Sequence, residues 1–134
     1  MTSVLLIDDS DADNFFHKIT IKKSTLCEKV ETFTSAAEAL KRLTTAAASN
    51  AEMPDIILLD INIPLVDGWE FLERYGREVD EAHRTPKIFM LSTSLNPKDR
   101  VRAEEHPLVE GYYSKPLETK SFIEMIKHIL EHHG

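Results

Sequence analysis

The chain has 134 residues, 42% of them hydrophobic and 29% charged, and a formal net charge of −7. That length supports one domain with a real core, and the composition is not that of a disordered chain. The acidic balance, with no basic cluster larger than Lys22-Lys23, argues against a nucleic-acid-binding surface, and the lone Cys27 permits no internal disulfide.

The first apolar run, residues 4–7, reads as a short buried strand; it is too short for a signal peptide or a membrane span. With a single cysteine this favours a reducing, cytoplasmic setting and no membrane partner. Phe15, Phe16, Ile19 and Ile21 follow at mixed helical spacing, with Ser10 or Asp11 available as the N-cap. Residues 29–33 alternate charged and apolar side chains, a weaker strand suited to a sheet edge. Ser35 with Glu38 three residues on forms a capping box before Ala36, Ala39, Leu40 and Leu43. Residues 44–52 read as a fraying helix end and loop, closed by Pro54.

The central stretch runs from Ile56 to Gly68: four apolar residues, then Asp60, then a turn-rich segment with Pro64 and with Asp67-Gly68 as a turn and helix cap. A strand buried on both faces should not end in a carboxylate without a use for it, since burying an ion is costly. Asp60 is therefore expected at the carboxyl end of a parallel strand, opening into a crevice. A helix is expected over residues 69–79, where Trp69 packs, and a loop over 80–85. A fourth strand at 87–91 ends in Ser92-Thr93-Ser94. Asn96 and Pro97 open another helix, and a short fifth strand spans 111–114 before Lys115-Pro116. The last helix places Phe122, Ile123, Ile126, Ile129 and Leu130 on one stripe. His128 and His132 at i, i+4 could ligate a metal, although a solvated helix end explains them better; His132-His133 could also be vector-derived.

Five strand–helix units imply an α/β fold with a doubly wound five-stranded parallel sheet. In such a sheet functional residues gather at the carboxyl ends of the strands, and reading those ends gives Asp8-Asp9, Asp60, Ser92-Thr93 and Lys115. Several carboxylates brought together need a cation, and an all-oxygen set points to Mg²⁺. A hydroxyl and an ammonium beside them suit phosphoryl oxygens, with Asp60 as the nucleophile.

Asp8-Asp9 after the first strand, Asp60 within LLDINIPLVDG, Ser92 after the fourth strand and Lys115-Pro116 after the fifth together resemble a response-regulator receiver domain of the single-domain, chemotaxis-regulator type. The resemblance covers essentially all of residues 1–134 as a single domain with no output domain. It implies a (βα)5 flavodoxin-like sheet in strand order 2-1-3-4-5. It also implies that Asp60 accepts phosphate from a histidine kinase or phosphotransfer protein. Mg²⁺ would be held by Asp9, Asp60 and the backbone carbonyl of Asn62, with Asp8 acting through water. Lys115 would grip the phosphoryl oxygens, the bond to Pro116 would be cis, and Ser92 would hydrogen-bond the phosphate. Tyr112 takes the place of the switch aromatic. It would swing from solvent into the space left by Ser92 and alter a face around Arg102, Tyr112 and Phe122. That face would take an unknown downstream protein or a phosphorylation-dependent homodimer. Thr93 departs from the small residue common at its position and is expected to crowd the acyl phosphate. Two alternatives stand beside this reading: a Mg²⁺-dependent phosphohydrolase of the haloacid-dehalogenase kind built on Asp9-Ser10-Asp11, and a receiver-like module that binds its partner without phosphate.

Overall fold

A computed structural model describes residues 2–132. Five strands alternate with five main helices: β1 (Thr2–Ile7), α1 (Asp11–Lys23), β2 (Cys27–Phe33), α2 (Ala36–Ser49), β3 (Ile56–Leu59), α3 (Gly68–Glu78), β4 (Lys87–Ser92), α4 (Pro97–Glu105), β5 (Val109–Ser114) and α5 (Thr119–His132). The strands form one sheet in the order β2-β1-β3-β4-β5, and every pairing is parallel.

Successive side chains of a strand point to opposite faces, so each inner strand feeds two cores. Leu5, Ile7, Ile57, Leu59, Ile88 and Met90 join α2 and α3 through Leu40, Leu43, Phe71 and Leu72. The intervening residues Val4, Leu6, Ile56, Leu58, Phe89 and Leu91 meet Ile21 of α1 and Phe122, Met125 and Ile126 of α5. Burial on both sides explains why β1, β3 and β4 read as continuous apolar runs.

The caps follow the sequence. Ser10, Ser35, Asp67 and Asn96 each accept a hydrogen bond from a backbone N–H of the first turn that follows. Several boundaries move. β1 begins at Thr2, β2 at Cys27 and β5 at Val109, because ladder pairing extends each strand past its apolar residues. α2 continues to Ser49 and stops at Asn50 in a left-handed conformation (φ 55°), where a fraying end was expected from residue 44. The loop after α3 holds a short 3-10 turn, Glu81–His83, capped by Asp80.

Two helix faces differ from the sequence reading. On α1 only Ile21 of the four apolar residues is buried; Phe15, Phe16 and Ile19 are exposed, and Asn14, His17 and Thr20 face inward. On α5 Met125 takes the core position while Leu130 lies in solvent. Phe122, expected on a partner face, is fully buried, so truncating it to Ala would cost about 3–5 kcal/mol. The side chain of His132, and with it the pairing with His128, and the origin of His132-His133 lie outside the described residues.

Candidate functional site

The carboxyl ends of β1, β3 and β5 meet around one ammonium group. Nζ of Lys115 lies 2.9 Å from Oδ2 of Asp60 and 3.1 Å from Oδ2 of Asp13, and it also contacts Oδ2 of Asp8. The side chains of Lys115, Asp8 and Asp60 are all less than a tenth exposed, whereas Asp13 opens to solvent. The bond between Lys115 and Pro116 is cis, as expected.

Backbone contacts hold each carboxylate in place. Asp8 N–H donates to the Phe33 carbonyl at 3.0 Å, and the Asp8 carbonyl accepts from Nδ2 of Asn14 at 3.0 Å. Oδ1 of Asp8 accepts from Ser10 N–H at 3.0 Å. Asp60 N–H donates to Ile7 O at 3.0 Å, carrying the β1–β3 ladder one residue past the strand. The loop beyond Asp60 is tightly folded: Val66 N–H reaches Pro64 O at 2.9 Å around Leu65, whose φ of 70° makes this a γ-turn. Gly68 closes the loop with its N–H on Ile61 O at 2.9 Å. A Cβ on Gly68 would lie 2.6 Å from the Asp60 carbonyl oxygen, so this close approach requires glycine.

The electrostatics follow from burial and charge. Burial works against the Lys115 ammonium, but hydrogen bonds to Asp8, Asp60 and Asp13 outweigh it and raise its pKa above the ordinary lysine value. Lys115 is therefore fully charged at neutral pH. Burial also raises the pKa of Asp8, with Lys115 pulling in the opposite direction. One ligand oxygen each from Asp8, Asp9 and Asp60 lies within 4.8 Å of the others. Such a cluster of hard oxygens fits Mg²⁺, and Asp9, on the exposed side, leaves room for the water that this ion retains. The neighbouring loops add hydroxyls: Ser92 is buried with Oγ accepting from Ser94 N–H at 3.2 Å, and exposed Thr93 lines a groove with Asp13, Phe16, Lys115 and Pro116.

The response regulator receiver domain family matches residues 4–127. The chain belongs to this family. Response regulator Rcp1 of Synechocystis is 30% identical over 127 residues, which cover 94% of this chain and 84% of that protein. Against a probable transcriptional regulator ycf29 of Porphyra purpurea, identity is 32% over 92 residues, and the chain spans only 43% of that longer protein. The crystal structure of a two component response regulator from Cytophaga hutchinsonii superposes with a TM-score of 0.88 at 32% identity, covering 96% of both chains. The strand order and the five helices of this receiver agree with that solved relative. Receivers are signalling modules of two-component systems, and they generally bind Mg²⁺ through acidic residues. No helix among the described residues is long and apolar enough to cross a membrane.

Of the residues singled out in the sequence, Asp8, Asp9, Asp60 and Lys115 converge in the receiver's pocket. Asn62 follows, exposed, with its N–H 3.3 Å from Oδ1 of Asp60. Ser92 ends the neighbouring strand. Tyr112 differs from expectation: its ring is already packed in the core, 9% exposed, under the Arg100 guanidinium at 4.7 Å. Its hydroxyl donates to the Ser94 carbonyl at 3.3 Å. In this structure the switch aromatic expected to swing in from solvent already lies inward. Arg102, exposed on α4, lays its guanidinium over the Trp69 ring at 4.2 Å. Asp13, Asn14, His17 and Gly68 are pocket residues that sequence reading passed over. Only the Asp67-Gly68 turn gave a local signal, and it pointed to a cap.

Proposed function

We propose that Asp60 is the phosphoacceptor of this receiver, taking its phosphoryl group from a phosphohistidine on a histidine kinase or phosphotransfer protein. The observation that carries the reading is the buried ammonium of Lys115 held at 2.9 Å from Asp60 between flanking carboxylates. In the transfer, an Asp60 carboxylate oxygen bonds to phosphorus while the phosphorus–nitrogen bond to the donor imidazole breaks. Lys115 turns from Asp8 and Asp60 toward the new phosphoryl oxygens and offsets their charge. Asp8, Asp9, Asp60 and the Asn62 carbonyl are the group that would hold Mg²⁺, which supplies charge neutralisation between carboxylates and phosphate. The chain would thus catalyse only its own phosphorylation and dephosphorylation, as a cytoplasmic signalling protein rather than an enzyme acting on a metabolite.

The readout follows from Ser92. Its hydroxyl, bonded within its own loop in this structure, gains a charged acceptor when the phosphoryl group arrives. Turning Oγ toward it frees Ser94 N–H and shifts the loop whose Ser94 carbonyl accepts the Tyr112 hydroxyl. The signal would leave through that loop, α4 and β5, around Arg100, Arg102 and Tyr112, toward a downstream protein or a second copy. Thr93, beside Lys115 in the groove, is placed to influence the in-line water that hydrolyses the acyl phosphate.

The test is incubation with acetyl phosphate and Mg²⁺ followed by mass-spectrometric mapping of the modified residue. Label on Asp60, absent from Asp60→Asn and from samples with chelator, is the expected result. Label on Asp9, or equal labelling of the two proteins, would refute it.

A further inference from the structure

Lys115 is fixed at both ends of a short loop. Its own N–H donates to the Ser92 carbonyl at 3.0 Å. Pro116 has no N–H to give. The next one, on Leu117, donates to Nε2 of His17 at 3.3 Å, in a buried hydrogen bond. The lysine is thus suspended between the strand that carries Ser92 and the helix that carries His17.

His17 belongs to a polar seam that runs the length of that contact. Asp13, one turn earlier on α1, holds Nζ of Lys115 at 3.1 Å. Thr20, one turn later, accepts the Thr119 hydroxyl on its carbonyl at 3.3 Å. Residues 13, 17 and 20 share one helical face, and they meet residues 115, 117 and 119. This seam accounts for the phenylalanines on the outer side of α1: the inner side serves polar partners. A buried packing position would be filled more simply by an apolar side chain, since imidazole is costly to bury without a partner. His17 is only 3% exposed, yet it supplies the one thing leucine or valine could not, an acceptor for a backbone N–H that lies outside any ladder. Burial and the nearby Lys115 lower its pKa, against the weaker opposite influence of Asp13, Asp8 and Asp60. The ring is therefore neutral, and with its proton on Nδ1 it leaves Nε2 free to accept.

We propose that His17 is a positioning residue for Lys115, acting through the Leu117 backbone to set the point from which the ammonium reaches Asp60. The proposal rests on the reading of Asp60 as phosphoacceptor, and its test has one arm that does not depend on that reading. In the metal-free, unphosphorylated protein at pH 8, a long-range ¹H–¹⁵N spectrum should show His17 as the Nδ1–H tautomer with Nε2 bare. The opposite tautomer leaves Leu117 without an acceptor and overturns the proposal. In the second arm, phosphorylation by acetyl phosphate is followed with saturating Mg²⁺ in His17→Met and His17→Gln. Loss of one backbone hydrogen bond should slow His17→Met by about fivefold, while the amide oxygen of His17→Gln keeps the rate within about twofold of wild type. Because the effect passes through Lys115, His17→Met should change the rate by less than about twofold in a Lys115→Ala background. Equal slowing in both backgrounds, or His17→Gln as slow as His17→Met, would overturn it. If His17→Met does not fold, the tautomer and the rate of His17→Gln decide together, and failure of either rejects the idea. Wild-type label on a residue other than Asp60 would instead reject the phosphoacceptor reading.

Discussion

Removing the Lys115 ammonium isolates the electrostatic problem that this site has to solve. In Lys115→Met a buried cation is replaced by an apolar chain of similar length, leaving Asp8 and Asp60 with side chains 6% and 8% exposed. At the 4.8 Å limit of their separation, two unit charges repel by about 3.5 kcal/mol at an effective dielectric near 20. Protonating one carboxylate relieves this only in part: an aspartic acid of ordinary pKa 3.8 costs about 4 kcal/mol to neutralise at pH 7, and burial, which raises the Asp8 pKa, reduces that cost. The variant should therefore lose about 3 kcal/mol in chelator, within the range for breaking a buried ion pair from one side. Mg²⁺ restores the missing positive charge, so its addition should stabilise Lys115→Met by more than it stabilises wild type. The variant should also bind the ion more tightly, since no ammonium competes for Asp8. Urea denaturation of both proteins in chelator and in Mg²⁺ measures all of these differences. A loss below about 1 kcal/mol in chelator, with equal Mg²⁺ stabilisation of both proteins, would show that Lys115 does not neutralise this cluster.

Three further outcomes are expected. Tyr75 is buried with its hydroxyl lacking a hydrogen-bond partner, so Tyr75→Phe should raise stability by about 1 kcal/mol, read as a higher Tm. Burial pushes the Tyr75 pKa from 10.0 to about 12, so the unfolded chain releases this proton first. Stability present below pH 10 is then lost as pH rises toward 12, by about 1.4 kcal/mol per unit, and the difference between wild type and Tyr75→Phe should vanish if the hydroxyl is in fact solvated. Gly68→Ala places a methyl group on the Asp60 carbonyl at 2.6 Å; it should displace the loop and slow Asp60 phosphorylation at least tenfold while the far end of the sheet keeps its NMR shifts. Calorimetric titration should find Mg²⁺ binding abolished in Asp9→Ala and weakened in Asp8→Ala, and unchanged affinity in Asp9→Ala would contradict its assignment as a ligand.

Most of the fold was legible because buried parallel strands announce themselves as unbroken apolar runs. Residues 4–7, 56–59 and 88–91 are such runs, and four of the caps are Ser, Asp or Asn in the expected places. Strand ends at the edges were less so, since Cys27 and Val109 are held by ladder hydrogen bonds that carry no side-chain signature. The pocket was legible in part. Asp8, Asp9, Asp60 and Lys115 stand at strand ends, and the topology that brings strand ends together is simple. Asp13, Asn14 and His17 gave no such signal, because each resembles an ordinary polar residue on a helix.

By itself the sequence determined the strand–helix alternation, the parallel sheet and the carboxylates and lysine at one edge of it, because hydrophobic period and turn chemistry are local properties. Only the tertiary structure decided which way α1 faces. Its helical periodicity carries both an aromatic and a polar stripe, and local physics favours burying Phe15 and Phe16. The inward choice of Asn14 and His17 is made by partners outside the helix, the Asp8 carbonyl and, 100 residues away, the Leu117 N–H, while the Thr20 hydroxyl turns back onto the Phe16 carbonyl of its own helix. Likewise Tyr112 lies inward because Arg100 and the Ser94 carbonyl receive it there, contacts that exist only once β5 has packed against α4. A buried polar group is placed by whatever satisfies its hydrogen bonds, and those partners are set by the fold rather than by neighbours in the chain.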